Sequence, residues 1–317
     1  MNEFQIILYI ISGVGGLFIG AEGLVRGSSS IAIRLGISPL AVGLTIVAFA
    51  TSSPELVVSI NAAIEGNSGI VVGNVVGSNI CNIALILGVA ALISPIQVKT
   101  QVVRREIPLM IIISFFLLFV LMDGSISRWE GGMFLIGIFA YVGLSYRYVK
   151  KDKDDAEIVK EFEDGIVINP YKTWQSVLLI IGGLGLLVIG SNLFVDGAVE
   201  TAIKFGVSQA VIGLTIVALG TSLPELFTSI VASIKNENDI AIGNAVGSNV
   251  FNILSILGIS SLINPISNSG VTGIDLIIMM FFTVLILPLS KSGFIIRRWE
   301  GAILFIGYVA YIIYLLQ

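Results

Sequence analysis

Histidine is absent from this 317-residue sequence, and cysteine occurs once, at Cys81. Without histidine there is no His-ligated zinc, no haem held by histidine, and no Ser-His or Cys-His nucleophilic pair. A single cysteine excludes an internal disulfide. Placed beside Asn82 in an apolar run, Cys81 reads as a small packing residue. Charge is also scarce: 12% of the residues are charged, against about 25% in soluble proteins, whose surfaces must be covered with water-seeking groups. The net charge of −4 leaves no basic surface for nucleic acid. What remains is apolar, with 56% hydrophobic residues and a mean hydropathy of +1.00. This is the composition of an all-α polytopic membrane protein.

A helix needs about 20 mostly apolar residues to cross a bilayer. Ten runs qualify, at 5–25, 39–64, 69–93, 106–122, 129–148, 174–195, 208–234, 239–263, 274–290 and 299–316. The amino-terminal run lacks a basic n-region and a small-residue cleavage site, so it is expected to stay as the first helix. Lys and Arg collect on the cytoplasmic side of membrane proteins. With the N-terminus outside, fifteen of the seventeen basic residues fall on the inner side, and only Arg128 and Lys204 fall outside. The expected location is therefore a multi-pass protein of the cell membrane with both termini extracytoplasmic. The longest connection, 149–173, is rich in Asp, Glu and Lys. It lacks the glycine an EF-hand loop requires at its sixth position and reads as a cytoplasmic linker.

That linker separates two copies of one unit. GLTIVAFATSSPELVVS at 43–59 recurs as GLTIVALGTSLPELFTS at 213–229, matching at twelve of seventeen positions. GNVVGSNICNIALILG at 73–88 recurs as GNAVGSNVFNILSILG at 243–258, matching at eleven of sixteen. Both matches have an offset of 170, which also relates Gly20 to Gly190 and Arg128-Trp129-Glu130 to Arg298-Trp299-Glu300. The division is then a five-helix repeat at 1–148, the linker at 149–173, and a second five-helix repeat at 174–317. Five is odd, so the second copy must enter the membrane from the opposite side. Inverted repeats of this kind build secondary transporters, with the substrate site between the repeats near the midplane.

The least lipid-like residues cluster in the repeated motifs. Glu55 and Glu225 fall in the middle of their spans, where a charged side chain costs about 2.5–3.5 kcal/mol on insertion scales. A glutamate kept neutral in a packed core explains one copy more easily than two. No Lys or Arg lies at matching depth, which points to a mobile cation as the partner. Pro54 lacks an N–H and disfavours helix at Ser53, so the span is expected to break, with Ser52 or Ser53 capping the new helix. The break would free carbonyls around Val47 and Ala48 beside the negative end of a helix dipole. Thr221-Ser222-Leu223-Pro224-Glu225 repeats the arrangement. In the next span Ser78 and Asn82 share a helix face, as do Ser248 and Asn252. Gly73 and Gly77, like Gly243 and Gly247, permit close helix approach. The donors are all oxygen, which suits hard cations such as Ca²⁺ or Na⁺.

The paired motifs closely resemble the two alpha-repeats of the cation/calcium exchanger superfamily, in particular its sodium/calcium exchangers. The resemblance runs over essentially the whole chain. It implies ten transmembrane helices as two inverted five-helix repeats, with helices two, three, seven and eight holding the ions and helices one and six sliding during alternating access. By motif position it implies Glu55 and Glu225 as central Ca²⁺ ligands, assisted by Thr51 and Thr221. Flanking Na⁺ sites would use Ala48, Ser52 and Ser78 on one side, and Ala218, Ser222 and Ser248 on the other. Asn82 and Asn252 would line the centre. Some relatives carry Asp at the position of Asn252, and the second neutral amide weighs against K⁺ co-transport.

The function this implies is a secondary antiporter exchanging Na⁺ for Ca²⁺ and no enzyme. The alternative is a proton/calcium exchanger of the same superfamily, in which the glutamates would carry H⁺. The Thr-Ser hydroxyls favour Na⁺, because they supply neutral ligands that protons do not need. A channel would want a continuous pore, and an intramembrane protease finds no histidine or paired membrane aspartates here. No cofactor is expected, and the expected partners are Ca²⁺ and Na⁺ as substrates and the lipid bilayer. Nothing in the sequence calls for an obligate protein partner. Glu22 with Arg26, and Asp196, Glu200 and Lys204, read as helix-end or surface charges, and Trp129 and Trp299 as interface anchors.

Overall fold

The structure, a computed structural model, describes residues 1–152, 171–206, 216, 218–267 and 271–316. It is an all-helical, polytopic membrane fold. In the first half the helices are α1 (Glu3–Leu35), α2 (Pro39–Val42), α3 (Ala48–Thr51), α4 (Ser53–Ile64), α5 (Ser68–Ile80), α6 (Gly88–Ile93), α7 (Ile107–Val120) and α8 (Arg128–Asp152). The second half has α9 (Thr173–Lys204), α10 (Ala218–Thr221), α11 (Leu223–Ile234), α12 (Asn238–Phe251), α13 (Leu257–Ile263), α14 (Gly273–Lys291) and α15 (Arg298–Leu315). Wider π-helical turns at Gly43–Val47, Cys81–Leu87, Val102–Glu106 and Asn252–Ile256 join some of these pieces into longer spans. Among the described residues seven helices are long and apolar enough to cross a membrane, and an eighth span results if the bent pair Pro39–Thr51 and Ser53–Ile64 counts as one.

Two expected spans are longer than their apolar runs. The run at 5–25 continues as helix to Leu35, and the run at 174–195 continues to Lys204. Hydropathy marks where a chain resembles lipid, whereas a helix goes on until its backbone is stopped. In α1 the stop is Gly36 at φ 60, a left-handed position that glycine adopts without a Cβ penalty. The expected boundary at 148 falls inside α8, which runs through Lys150 to Asp152. Of the expected linker, 153–170 lies outside the described residues, as does most of 207–217 at the start of the expected seventh span.

The centre of the molecule is made by the glycine-rich spans. The Ser68–Ile93 and Asn238–Ile263 spans are 72% and 83% buried, against 28% for α1 and 22% for α9. The outer two helices present Phe4, Ile11, Ile19, Leu178, Ile181 and Ile189 to the outside, as lipid-facing helices should. They lie against each other with backbones in near contact. A Cβ added at Gly20 would sit 2.7 Å from the Gly183 carbonyl, and one at Gly190 would sit 2.7 Å from the Leu17 nitrogen. Only glycine permits that approach, and it makes α1 and α9 one closely packed pair.

Contacts between the two halves come in exchanged pairs separated by 170. β1 (Ile96–Gln97) pairs with β4 (Ile295–Ile296), and β2 (Ser125–Ile126) pairs with β3 (Ile266–Ser267). Ile96 opposes Ile296, while Ile126 opposes Ile266. Likewise Arg298 donates to the Ile93 carbonyl at 3.2 Å and Arg128 to the Ile263 carbonyl at 3.4 Å. The ion pairs break this symmetry. Glu22 binds both Arg26 and Lys235, the latter at 2.9 Å, and Lys99 pairs with Asp239 at 3.0 Å. Ser29 donates to Glu237 at 2.9 Å. Burial raises the Glu237 carboxyl above the usual carboxylate range, with Ser29 and Lys235 opposing the rise. Glu200, expected as a simple helix-surface charge, receives the terminal amine of Met1 at 2.9 Å. Cys81 is buried, as a packing residue should be.

The helix pair gives a stability test. Gly183→Ala places a methyl 2.6 Å from the Gly20 carbonyl oxygen, and overpacking of this kind costs about 1–3 kcal/mol. The apparent melting temperature in detergent should fall clearly. Gly185→Ala, with nothing within 4 Å, should leave it unchanged or slightly raised.

Candidate cation-binding site

The site begins with the two prolines. Pro54 stands in the first turn of α4 and Pro224 in that of α11, where their missing N–H groups are not needed. The chain bends by 45° between Pro39–Thr51 and Ser53–Ile64. At the corner Ser52 has φ −80 and ψ 5, and Ser222 has φ −91 and ψ 3. Each serine is the residue before its helix, yet neither side chain makes a capping hydrogen bond. Instead they reach across the molecule: Ser52 Oγ donates to Glu225 Oε1 at 3.1 Å, and Ser222 Oγ donates to Glu55 Oε1 at 3.1 Å. The expectation of a serine N-cap is corrected here. A local backbone bond is replaced by one to a buried carboxylate, which is the stronger acceptor.

The break is tighter than the sequence suggests. The carbonyls of Val47 and Ala48, expected to be free, both have partners. Thr51 Oγ1 lies 3.1 Å from the Val47 oxygen, and the Ser52 N–H reaches the Ala48 oxygen at 3.0 Å. The proline removes only its own N–H, and the Ser/Thr-rich corner closes most of the gap. A carbonyl has a second lone pair, so this does not prevent either oxygen from facing a cation. Ala218 begins α10 three residues before Thr221, as Ala48 begins α3 three residues before Thr51.

Glu55 and Glu225 are each 1% exposed. Among the described residues neither is ion-paired with a Lys or Arg, and in each the Oε2 atom has no hydrogen-bond partner. The Oδ1 atoms of Asn82 and Asn252 and the Oγ of Ser248 are also buried and without a partner. Ser78 is buried on the same span as Asn82. Asn82 lies in the π-turn Cys81–Leu87 and Asn252 opens the π-turn Asn252–Ile256. The wider turn changes which direction a side chain takes from the helix, and such turns recur at functional sites. Glycine brings the first break close against α12: a Cβ at Gly247 would meet the Leu44 carbonyl at 2.6 Å and Ala48 Cβ at 2.8 Å.

Four asparagines escape the sequence reading. Asn74 donates to the Glu55 carbonyl at 3.0 Å and to Ser59 Oγ at 2.9 Å. Asn244 does the same for Glu225 and Ser229, at 3.3 and 3.1 Å, and its Oδ1 lies 3.0 Å from Thr51 Oγ1. Asn79 and Asn249 bond with Asn252 and Asn82. Their signal was present, since each is an asparagine repeated at an offset of 170 within an apolar span. The layer offers two carboxylates with hydroxyl and amide oxygens. Among the described residues no group of three His, Cys, Asp or Glu gathers to hold a metal. Such a set suits a hard cation and not a thiolate- or imidazole-seeking one.

Comparison with known proteins places this geometry. The model of the family described as sodium/calcium exchanger protein matches residues 5–147 and again 175–317. The protein CaxA of Alkalimonas amylolytica, a putative antiporter by its description, is 41% identical over 308 residues, covering 96% of each chain. The sodium/calcium exchanger MaX1 of Methanosarcina acetivorans is 32% identical over 342 residues, covering 97% of each. A solved structure of the sodium-calcium exchanger NCX_Mj, soaked without Na⁺ and Ca²⁺, superposes with a TM-score of 0.84 at 30% identity, over 99% of this chain and 100% of the other. Buried paired carboxylates, the doubled family match and the whole-chain superposition agree: the chain belongs to the sodium/calcium exchanger family, whose members are membrane transporters and not enzymes.

Proposed function

We propose that the protein is a secondary antiporter that exchanges Na⁺ for Ca²⁺ through one alternating-access site, without K⁺ as a co-substrate. The observation that carries the reading is the reciprocal pair of bonds, Ser52 to Glu225 and Ser222 to Glu55, with the second oxygen of each carboxylate left without a hydrogen bond. Two glutamates balance one Ca²⁺, whereas several Na⁺ leave the site with net positive charge, so exchange is electrogenic. In this reading Glu55 and Glu225, with Thr51 and Thr221, hold Ca²⁺. Ala48, Ser52 and Ser78, and Ala218, Ser222 and Ser248, serve flanking Na⁺, and Asn82 and Asn252 line the centre. The ions are cargo, and no cofactor takes part.

The architecture proposed with it is ten spans in two inverted repeats, 1–148 and 174–317, joined by the linker 149–173. Support comes from the exchanged contacts and from the family match falling into two segments of the chain. The proposed orientation has both termini outside. It rests on the Lys/Arg distribution, while Glu22 with Lys235 and Lys99 with Asp239 support the threading alone, each joining segments that it sets on one side. Met1 and Glu200 meet on the other side.

In proteoliposomes loaded with Na⁺, an outward Na⁺ gradient should drive ⁴⁵Ca²⁺ uptake, and clamping the membrane potential should change its rate. Uptake that follows a pH gradient and ignores Na⁺ would establish the proton/calcium exchanger instead. At the site itself, Glu55→Gln and Glu225→Gln should each nearly abolish Ca²⁺ transport. Removing one member of a buried charged contact costs about 2 kcal/mol or more, or roughly thirtyfold in affinity. Glu65→Gln, on an exposed residue whose side chain accepts from Asn67 two positions on, should transport normally. Near-normal Ca²⁺ flux in folded Glu55→Gln protein would remove that residue from the site.

A further inference from the structure

We propose that Asn79 and Asn249 are positioning residues, fixing the amides of Asn82 and Asn252 so that oxygen and not nitrogen faces the cation. The inference rests on the exchanger reading above and specifies how its central ligands are aimed. An asparagine amide has a donating end and an accepting end of nearly the same shape. Shape alone does not decide which end meets a ligand. In a cation site the difference is decisive, because Oδ1 coordinates the ion and an NH₂ group repels it.

The hydrogen bonds decide it here. Nδ2 of Asn82 donates to Asn249 Oδ1 at 3.1 Å, and Nδ2 of Asn252 donates to Asn79 Oδ1 at 3.2 Å. All four side chains are 1% exposed, so bulk water offers no competing partner. Reversing either ligand amide would set one Oδ1 against another, with no proton between them, at a buried position. As observed, the Oδ1 atoms of Asn82 and Asn252 are the ends left without partners.

The supporting amides are fixed in their turn. Asn249 Nδ2 reaches Met110 Sδ at 3.5 Å, and Asn79 Nδ2 reaches the Asn249 carbonyl at 3.5 Å. Each has its carbonyl turned to a ligand amide and its NH₂ turned elsewhere. Both bonds cross between the halves of the chain, as do those of Ser52 and Ser222. The arrangement occurs twice, with the partners exchanged, which a chance packing contact would not reproduce.

The test is a double-mutant cycle on ⁴⁵Ca²⁺ binding to the purified full-length protein in detergent. Asn249→Leu keeps the branched outline and removes the acceptor, so Asn82 is free to turn. Losing an orienting partner of this kind weakens metal affinity about 10–100-fold, and the Ca²⁺ Kd should rise within that range. Asn82→Asp, which presents oxygen at either end, should then recover affinity by a larger factor in the Asn249→Leu background than in the wild type. In the wild type the new carboxylate would face Asn249 Oδ1. A purely structural role for Asn249 predicts the same factor in both backgrounds, and that result overturns the inference. So does an unchanged Kd in Asn249→Leu. If that variant does not elute as a folded species, the mirror cycle of Asn79→Leu with Asn252→Asp makes the same comparison: a larger factor in the Leu background supports the inference, and an equal factor overturns it. A wild-type protein that binds no Ca²⁺ would overturn the exchanger reading, and this inference with it.

Discussion

Two buried glutamates with no counter-charge among the described residues are the constraint around which this molecule is arranged. An ionised carboxylate in the middle of a membrane is costly, and two placed close together repel as well. The structure gives each one a hydroxyl donor from the opposite half of the chain and leaves its second oxygen without a hydrogen bond. The serines at the two helix breaks bring a hydroxyl of one half to the carboxylate of the other, and the glycine contact at Gly247 packs α12 of the second half against the break of the first. In the function proposed above, a cation entering this layer supplies the missing charge, and ion binding and the association of the two halves then use the same set of contacts.

Around that layer the packing falls into two kinds. The central spans are enclosed on nearly all sides, and their polar groups are held by side-chain bonds such as Asn74 to the Glu55 carbonyl. The α1–α9 pair is held internally by backbone contact at glycines and faces lipid along much of its length. Between the pair and the centre, Lys235 with Glu22 and Ser29 with Glu237 are polar contacts gathered at one end. At the offset of 170 these four residues correspond to Glu65, Asn192, Val199 and Asn67, which cannot form the same ion pair. The two ends of the site are therefore held differently in a molecule whose two halves otherwise mirror each other closely.

Much of this was legible in the residues. Intramembrane glutamates repeated at a fixed offset, each beside a proline, marked the site because nothing else in an apolar span tolerates such a cost. Long apolar runs marked most of the spans. What could not be read was direction. The sequence predicts Ser52 or Ser53 as a helix cap because capping is a local rule, whereas the Ser52 hydroxyl goes to a residue 173 positions away. Helix ends beyond the apolar runs were equally hidden, since Gly36 stops α1 through backbone geometry and not through hydropathy. Asn79 and Asn249 went unread because an amide that supports another amide has no signature beyond its repetition.

The central claim is that the two halves contribute to one cation site and do not carry one site each. Equilibrium binding of ⁴⁵Ca²⁺ to the purified protein measures this directly as the number of ions bound per chain. A shared site predicts one Ca²⁺ per wild-type chain, displaced by Na⁺, and high-affinity binding lost in full when either Glu55 or Glu225 becomes Gln. Two Ca²⁺ per wild-type chain, falling to one in each single variant, would contradict it.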